Sequence, residues 1–402
     1  MTAPSSLPTV VLTHAVRTPI GKFGGVFSPF GAVDLGERAV RALLQRSGVP
    51  AAEVGRVVFG NARQAGAGPN PARQISVRSG IPVSTPAFTV NMACASGLKS
   101  ILLGAEAIQL GNARFVVAGG TESMTNLPYL LPKMRYGYRL GNAKVVDGMY
   151  QDGFLCPLSK MLMGETAEKL AREMSISREE QDRFALESQR RCEAARQAGK
   201  LADEIAPVDL PAERGRPGAV VAADEHPRDG ATLESLAKLP PVFDPKTGTV
   251  TAGNSSGITD GAAAVLLCSE ADARARKLPI LARLGASAEA GVDPAVMGIG
   301  PVPAVRELLE ATGSRLDAFD LIELNEAFAA QVIACDRELH FPADRLNVNG
   351  GAIALGHPIG ATGARIVVTL AHEMRRRGAK RGLATLCVSG GMGVALELLA
   401  PA

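Results

Sequence analysis

A chain of 402 residues, 46% hydrophobic and 21% charged, has the composition of a globular protein long enough for two or three domains with buried cores. A net charge of only +3 excludes a strongly basic nucleic-acid binder, although a few local cations remain available to a small anion. No apolar run approaches the roughly 20 residues of a membrane span.

Six scattered cysteines without a CxxC pair predict a reduced, cytoplasmic protein. The N-terminus, MTAPSSLPTVVLTHAVR, lacks the basic start and apolar core of an export signal. Five histidines without an HxxxH or HxxE pair predict no metal site. With aromatics at 4% and no Trp, the interior has to be filled by Ala, Val, Leu, Ile and Met.

In chain order, residues 39–48 (AVRALLQRSG) read as a helix, followed by an apolar strand, RVVFGNA, from Arg56. The strand AFTVNMA then leads into the helix SGLKSILLGAEAIQLG and the strand ARFVVAGG. The same order returns late in the chain. AVRELLEATG at 304–313 precedes DLIELNEA from Asp320, then LNVNGG, a Gly-rich turn, ARIVVTLAHEMRRRG and LATLCVSGG. Alternating helices and Val/Ile/Leu-rich strands predict α/β layers with helices on both faces of a sheet. The repeated order points to duplication; chance likeness between Ala- and Leu-rich helices is the plainer alternative.

Between the repeats, from about Met124 to Gly257, the character changes. GETAEKLAREM reads as a helix, and Ser177-Arg178-Glu179-Glu180 opens another with a capping-box pattern. The remainder is rich in Pro, Gly and charge (LPAERGRPGAVVAADEHPRDG), and insertions of this size usually serve binding. TDGAAAVLLCSE from Thr259 reads as a strand returning to the first half. The expected division is therefore 1–123 with 259–278, an inserted 124–258, and 279–402.

Four residues at strand ends can carry chemistry. Cys94, in VNMACASGLKS, stands where a strand meets a helix, and a helix N-terminus favours a thiolate. Taken alone, a Cys between alanines is more often a small buried hydrophobe. His357 sits among five glycines in NVNGGAIALGHPIGATGAR, which is not a phosphate loop because neither GKS/T nor GxGxxG occurs there. Cys387 ends the strand LATLCV before a Gly-rich turn. Asn325 stands between a strand and a helix, where helix capping is the ordinary job of Asn. Two thiols, an imidazole and an amide gathered at strand ends suit acyl transfer through a thioester.

VNMACASGLKS, GGTESM, TAGNSSGITDGAA, NEAFAAQ, NGGAIALGHPIGATGAR and CVSGGMG, with VRTPIGKFGG near the start, together resemble the thiolase family over nearly the whole chain. The resemblance implies a five-layer fold of duplicated αβαβα halves with an inserted loop domain. It implies an acyl-CoA acyltransferase of fatty-acid metabolism, with Cys94 as the acylated nucleophile. His357 would activate thiols and donate to an oxyanion hole, and Cys387 would be the acid/base for the acetyl α-proton, both thiols having low pKa values. Asn325 would hold a water in that hole, and a second hole would use the backbone N–H groups of Cys94 and Ser389. Arg228 corresponds to a contact for the nucleotide end of CoA, Ser256 to one for the pantetheine arm, and Met163, Met297 and Phe328 to the acyl and pantetheine pocket. CoA thioesters would be substrates, with no cofactor, and the assembly a homodimer or homotetramer.

Two positions depart from the family pattern. Ser389 replaces a usual Gly, which is harmless if only its N–H is used and its φ is ordinary. Leu162 stands where acetoacetyl-specific members commonly carry His, which argues against strict acetoacetyl specificity. A carrier-protein ketosynthase and a non-catalytic lipid-binding relative are the rival readings. Cys387 argues against the first, and retention of all four reactive residues against the second.

Overall fold

The computed structural model describes residues 7–212 and 217–401; residues 1–6, at the start of the segment read for export, and 213–216 of the charged insertion lie outside the described residues. The first half of the sheet contains β1 (Val10–Arg17), β2 (Val54–Gly60), β3 (Ala87–Val90), β4 (Phe115–Ser123) and β5 (Thr259–Ser269). Their order is β3-β2-β4-β5-β1, with the first three parallel and β5 antiparallel to both neighbours. The second half contains β6 (Ala282–Gly291), β7 (Leu321–Leu324), β8 (Arg381–Val388) and β9 (Met392–Leu399), ordered β7-β8-β9-β6. There β7 and β8 are parallel and β9 is antiparallel to β8 and β6, so the first arrangement is repeated. LNVNGG, read as the counterpart of β3, is reduced to a single parallel bridge between Ile322 and Leu346. The halves join where β1 pairs with β6 at Val11–Arg283 and Leu12–Ala282.

Side-chain alternation along the strands separates the cores, because successive residues face opposite sides of a sheet. Phe115 and Val117 of β4 pack outward against Leu35, Val40 and Leu43 of α1 (Ala32–Ser47), with Ile75 of α2 (Pro71–Arg78). Val116 and Ala118 face inward, into a core containing Leu98 and Ile101 of α3 (Ser96–Gln109). In the insertion, α4 (Met163–Glu173) and α5 (Arg178–Gln197) follow. The capping box of α5 forms as read: Ser177 Oγ accepts from the Glu180 N–H at 3.2 Å, and the Glu180 carboxylate accepts from the Ser177 N–H at 2.7 Å. Beyond the second half of the sheet, α6 (Pro301–Thr312) and α7 (Ala329–Leu339) bury Val305, Leu308 and Val332 against Ile322 and Leu383. The inward side of that half meets Val367 and Leu370 of α8 (Ile359–Arg377) in the same core as α3. Helix, sheet, two central helices, sheet and helix make five layers.

The central helices meet backbone to backbone. A Cβ on Gly97 would stand 2.7 Å from the Ala364 nitrogen, and one on Gly363 would collide with the Leu98 nitrogen. Among the described residues, no helix is long and apolar enough to cross a membrane. Gly363→Val should lower the unfolding free energy by about 3 kcal/mol through overpacking, read as an earlier urea midpoint. An unchanged midpoint would show that the helices do not meet there.

Candidate active site

The chain leaves β3 through a tight turn in which Ala93 takes a left-handed φ of 44°, a conformation costing a non-glycine residue roughly 1–2 kcal/mol. Three hydrogen bonds hold it: Ala93 N–H to Asn91 Oδ1 at 3.0 Å, Met92 N–H to Ser96 Oγ at 2.9 Å, and Ser96 Oγ to the Ala93 carbonyl at 2.7 Å. The turn delivers Cys94 into a short 3-10 segment immediately before α3. The N–H groups of Ser389 and of Cys94 itself favour the thiolate form of its sulfur.

His357 lies at the other central helix, just ahead of α8. The preceding Gly356 has a φ of 101°, and any Cβ there would collide with the Thr259 side chain. The His357 N–H donates to the Gly257 carbonyl at 3.1 Å. Its Nδ1 is 2.6 Å from Thr362 Oγ1, whose own proton goes to the Pro358 carbonyl at 3.0 Å. Nδ1 is therefore the donor, and Nε2 keeps a free lone pair. Burial, aided by the Arg365 and Arg63 charges, holds the imidazole pKa down at about 3, so the ring is neutral.

Cys387 occupies the end of β8, fully buried. Ser389, next but one, has no positive φ; Gly390 and Gly391, at 92° and 88°, take the left-handed positions of the turn. The serine therefore introduces no backbone strain.

Cys94, His357, Cys387 and Ser389 line one cavity of about 700 Å³. Met163, Met297, Phe328 and Ser256 form further parts of its wall, and Arg228 contributes an exposed cation. Asn325 is the exception: it is fully buried and set back from the cavity surface. Its position is not a helix cap, since Phe328 caps α7. Both polar atoms of its amide are buried without a partner, a state costing about 1–3 kcal/mol per group unless a water fills it. Among the described residues no group of three His, Cys, Asp or Glu side chains converges as metal ligands would.

Residues 10–271 match the thiolase N-terminal domain and residues 278–400 the thiolase C-terminal domain. The chain belongs to the thiolase family. An acetyl-CoA acetyltransferase of Pseudomonas aeruginosa is 53% identical over 389 residues, covering 97% of this chain and 98% of its own. Among solved structures, the Bacillus anthracis acetyl-CoA acetyltransferase superposes with a TM-score of 0.96 at 43% identity, covering 99% of this chain and 100% of that one. Human mitochondrial 3-ketoacyl-CoA thiolase in complex with CoA gives 0.94 at 42% identity, covering 98% of both chains.

Several residues in or behind the cavity of this thiolase were not singled out individually by the sequence. Arg63, in FGNARQAG, reads as an ordinary loop residue yet lines the cavity while almost wholly buried. Glu122, from GGTESM, is fully buried and accepts from Asn61 Nδ2 at 2.7 Å and from the N–H groups of Ala62, Arg63 and Gly360 at 3.2, 3.1 and 2.8 Å. It thereby ties β2 to the turn that carries His357. Tyr150 and Phe154 flank the cavity from the insertion, their rings edge to face at 5.7 Å.

The expectation of low thiol pKa values is corrected. Burial pushes the Cys94 thiol up; the Arg63 charge and the two N–H groups oppose it without reversing it, and Glu122 adds to the rise. Burial also pushes Cys387 well up, with Cys94 and Cys335 adding to it. Both thiols of the free protein are protonated at neutral pH. Since alkylation requires the thiolate, the rate of Cys94 modification by iodoacetamide should climb with pH without a plateau below the ordinary thiol value of 9.0. A plateau near neutrality, followed by peptide mass spectrometry, would show a preformed thiolate.

Proposed function

We propose that this thiolase catalyses reversible thiolysis and Claisen condensation of 3-ketoacyl-CoA through an acyl-Cys94 intermediate. The observation carrying the reading is the convergence of Cys94, His357, Cys387 and the Ser389 N–H on one buried cavity, drawn from both halves of the sequence. His357 enters neutral, with Nε2 free, so it can take the Cys94 proton as the sulfur attacks the keto carbon. A protonated resting thiol makes that transfer part of the reaction rather than a precondition. The carbon–carbon bond breaks, and Cys387, held protonated by burial, supplies a proton to the acetyl-CoA enolate. CoA thiol then takes the acyl group from Cys94; condensation runs the same steps in reverse.

The N–H groups of Cys94 and Ser389 receive the carbonyl oxygen of the acyl-enzyme, a reading supported by the lowering effect of both on the Cys94 thiol. The unpaired Asn325 amide supports a buried water behind the cavity wall, which together with His357 would stabilise the enolate. Arg228 serves the nucleotide end of CoA, Ser256 the pantetheine arm, and Met163, Met297 and Phe328 the apolar remainder. CoA thioesters are substrates, and the chemistry uses no cofactor. Leu162 lines the cavity without polar groups, which favours acyl chains other than acetoacetyl. Full-length likeness to acetyl-CoA acetyltransferases does not favour a carrier-protein ketosynthase or a non-catalytic binder.

The test is a thiolysis assay over 3-ketoacyl-CoA chain lengths. Cys94→Ala should abolish turnover, and His357→Asn should cost about 2.7–4 kcal/mol of barrier, a hundredfold or more in kcat. Full activity in Cys94→Ala, or no cleavage of any substrate by wild type, would sink the reading.

A homotetramer, built from dimers, is the assembly we propose. β3 ends the sheet with Phe88 39% exposed, an open edge suited to pairing with a second copy. The insertion also presents Tyr136 and Leu140 at 91% and 92% exposure, apolar surface of the kind that assembly covers. Light scattering after gel filtration should give a tetramer, reduced to a dimer by Tyr136→Glu with Leu140→Glu; a monomeric wild type would refute it. All six cysteines are free, in keeping with a cytoplasmic setting.

A further inference from the structure

Arg63 is a buried cation at the cavity whose guanidinium, among the described residues, has no hydrogen-bonded or ion-paired partner. Its exposure is 5%, and it lines the same cavity as Cys94 and His357. Among the described residues its guanidinium forms no hydrogen bond and no ion pair, and its Nε is buried without a partner. The other deeply buried arginines each meet a carboxylate: Arg17 is bound by Glu204 and Asp224, and Arg365 faces Glu323 at 3.4 Å while its Nε and Nη2 also lack partners. The acid nearest in effect, Glu122, has its oxygens committed to Asn61 and three backbone N–H groups. Burial pushes that carboxyl's pKa up, the Arg63 charge and the three N–H groups oppose the rise, and no Glu122 oxygen bonds the guanidinium itself.

The position of the guanidinium is enforced. A Cβ on Gly153 would stand 2.8 Å from Arg63 Cζ and Nη2, so the glycine leaves the space that Arg63 occupies. Gly153 belongs to the turn Tyr150–Phe154, whose two aromatic rings flank the cavity. Leu162 and Met163 add an apolar wall. The cavity's other charges lie elsewhere: Lys22 is paired with Glu225, His226 is held neutral by burial, and Arg228 is exposed. An unpaired guanidinium this deep is costly, and a ligand carboxylate matching its planar fork offsets that cost.

We propose that Arg63 binds a carboxylate at the far end of the acyl chain, making 3-ketoacyl-CoA thioesters of dicarboxylic acids the preferred substrates. This rests on the Cys94-centred reading above. The acyl stem lies against Phe154, Leu162 and Met163, and thiolysis by CoA yields acetyl-CoA and a CoA thioester that keeps the terminal carboxylate. No new bond-breaking step is needed, because Arg63 touches only the unreacting end.

A matched pair of substrates tests it: 3-oxoadipoyl-CoA and 3-oxohexanoyl-CoA differ only in a terminal carboxylate or methyl. Wild type should favour the first in kcat/KM by about tenfold or more, and R63M should lower that ratio about a hundredfold, as removal of one partner of a buried ion pair does. R63K, which keeps the charge but not the fork, should give an intermediate ratio. Independently of any variant, glutaryl-CoA should inhibit wild type more tightly than valeryl-CoA. Equal use of the two substrates by wild type overturns the proposal, as does equal inhibition by the two thioesters. A proportional loss on both substrates in R63M also overturns it, since Arg63 would then serve Cys94 itself. Thiolysis of 3-oxohexanoyl-CoA by wild type separates the two readings: if it proceeds as well as that of 3-oxoadipoyl-CoA, only the role of Arg63 fails.

Discussion

The contact of α3 and α8 at Gly97 and Gly363 holds the two halves in register. Helices reach backbone contact only where neither side presents a Cβ, and here each supplies a glycine at the crossing. Cys94 lies three residues before Gly97, and His357 six before Gly363, so the crossing brings the two helix beginnings together. β8 packs against the same central core and adds Cys387 and Ser389. The cavity is thus a consequence of how closely two helices approach, and Glu122 reinforces it by reaching across from β4 to the Gly360 N–H.

Electrostatics within the cavity are decided by burial more than by local dipoles. A helix N-terminus stabilises an adjacent anion by roughly 0.3–1 kcal/mol, less than one pKa unit. Removing an ionisable group from water can move its pKa by about 3–5 units toward the neutral form. The second effect is larger: Cys94 moves up despite Arg63 and two N–H groups, and Cys387 despite its own N–H. The imidazole moves the opposite way for the same reason, since its charged form is the cation. A site of neutral thiols and neutral imidazole stores no ion pair before substrate arrives, and charge develops only as bonds change.

Much of this was legible in the residues. The repeated helix–strand order forecast the matching halves of the sheet, and Ser177 with Glu180 forecast the start of α5, because periodicity and capping involve neighbours a few positions apart. LNVNGG was less legible: its apolar residues resemble β3, but pairing is limited to one bridge at Leu346. Asn325 reads as a helix cap, yet α7 begins only after Phe328, and the amide is instead buried without partners. Arg63 gave no warning, since a cation in a Gly- and Ala-containing loop is ordinarily solvated. Only the Tyr150–Phe154 turn, distant in sequence, closes over it.

The sequence by itself determined the layered α/β architecture, the family, and the identity of the thiols and the imidazole, because those follow from short-range patterns and residue type. Tertiary structure decided the protonation of Cys94 and Cys387, the free Nε2 of His357, the retreat of Asn325 from the cavity and the isolation of Arg63. Each of these depends on burial and on partners far away in the chain, and burial is a property of packing that no local stretch of residues contains.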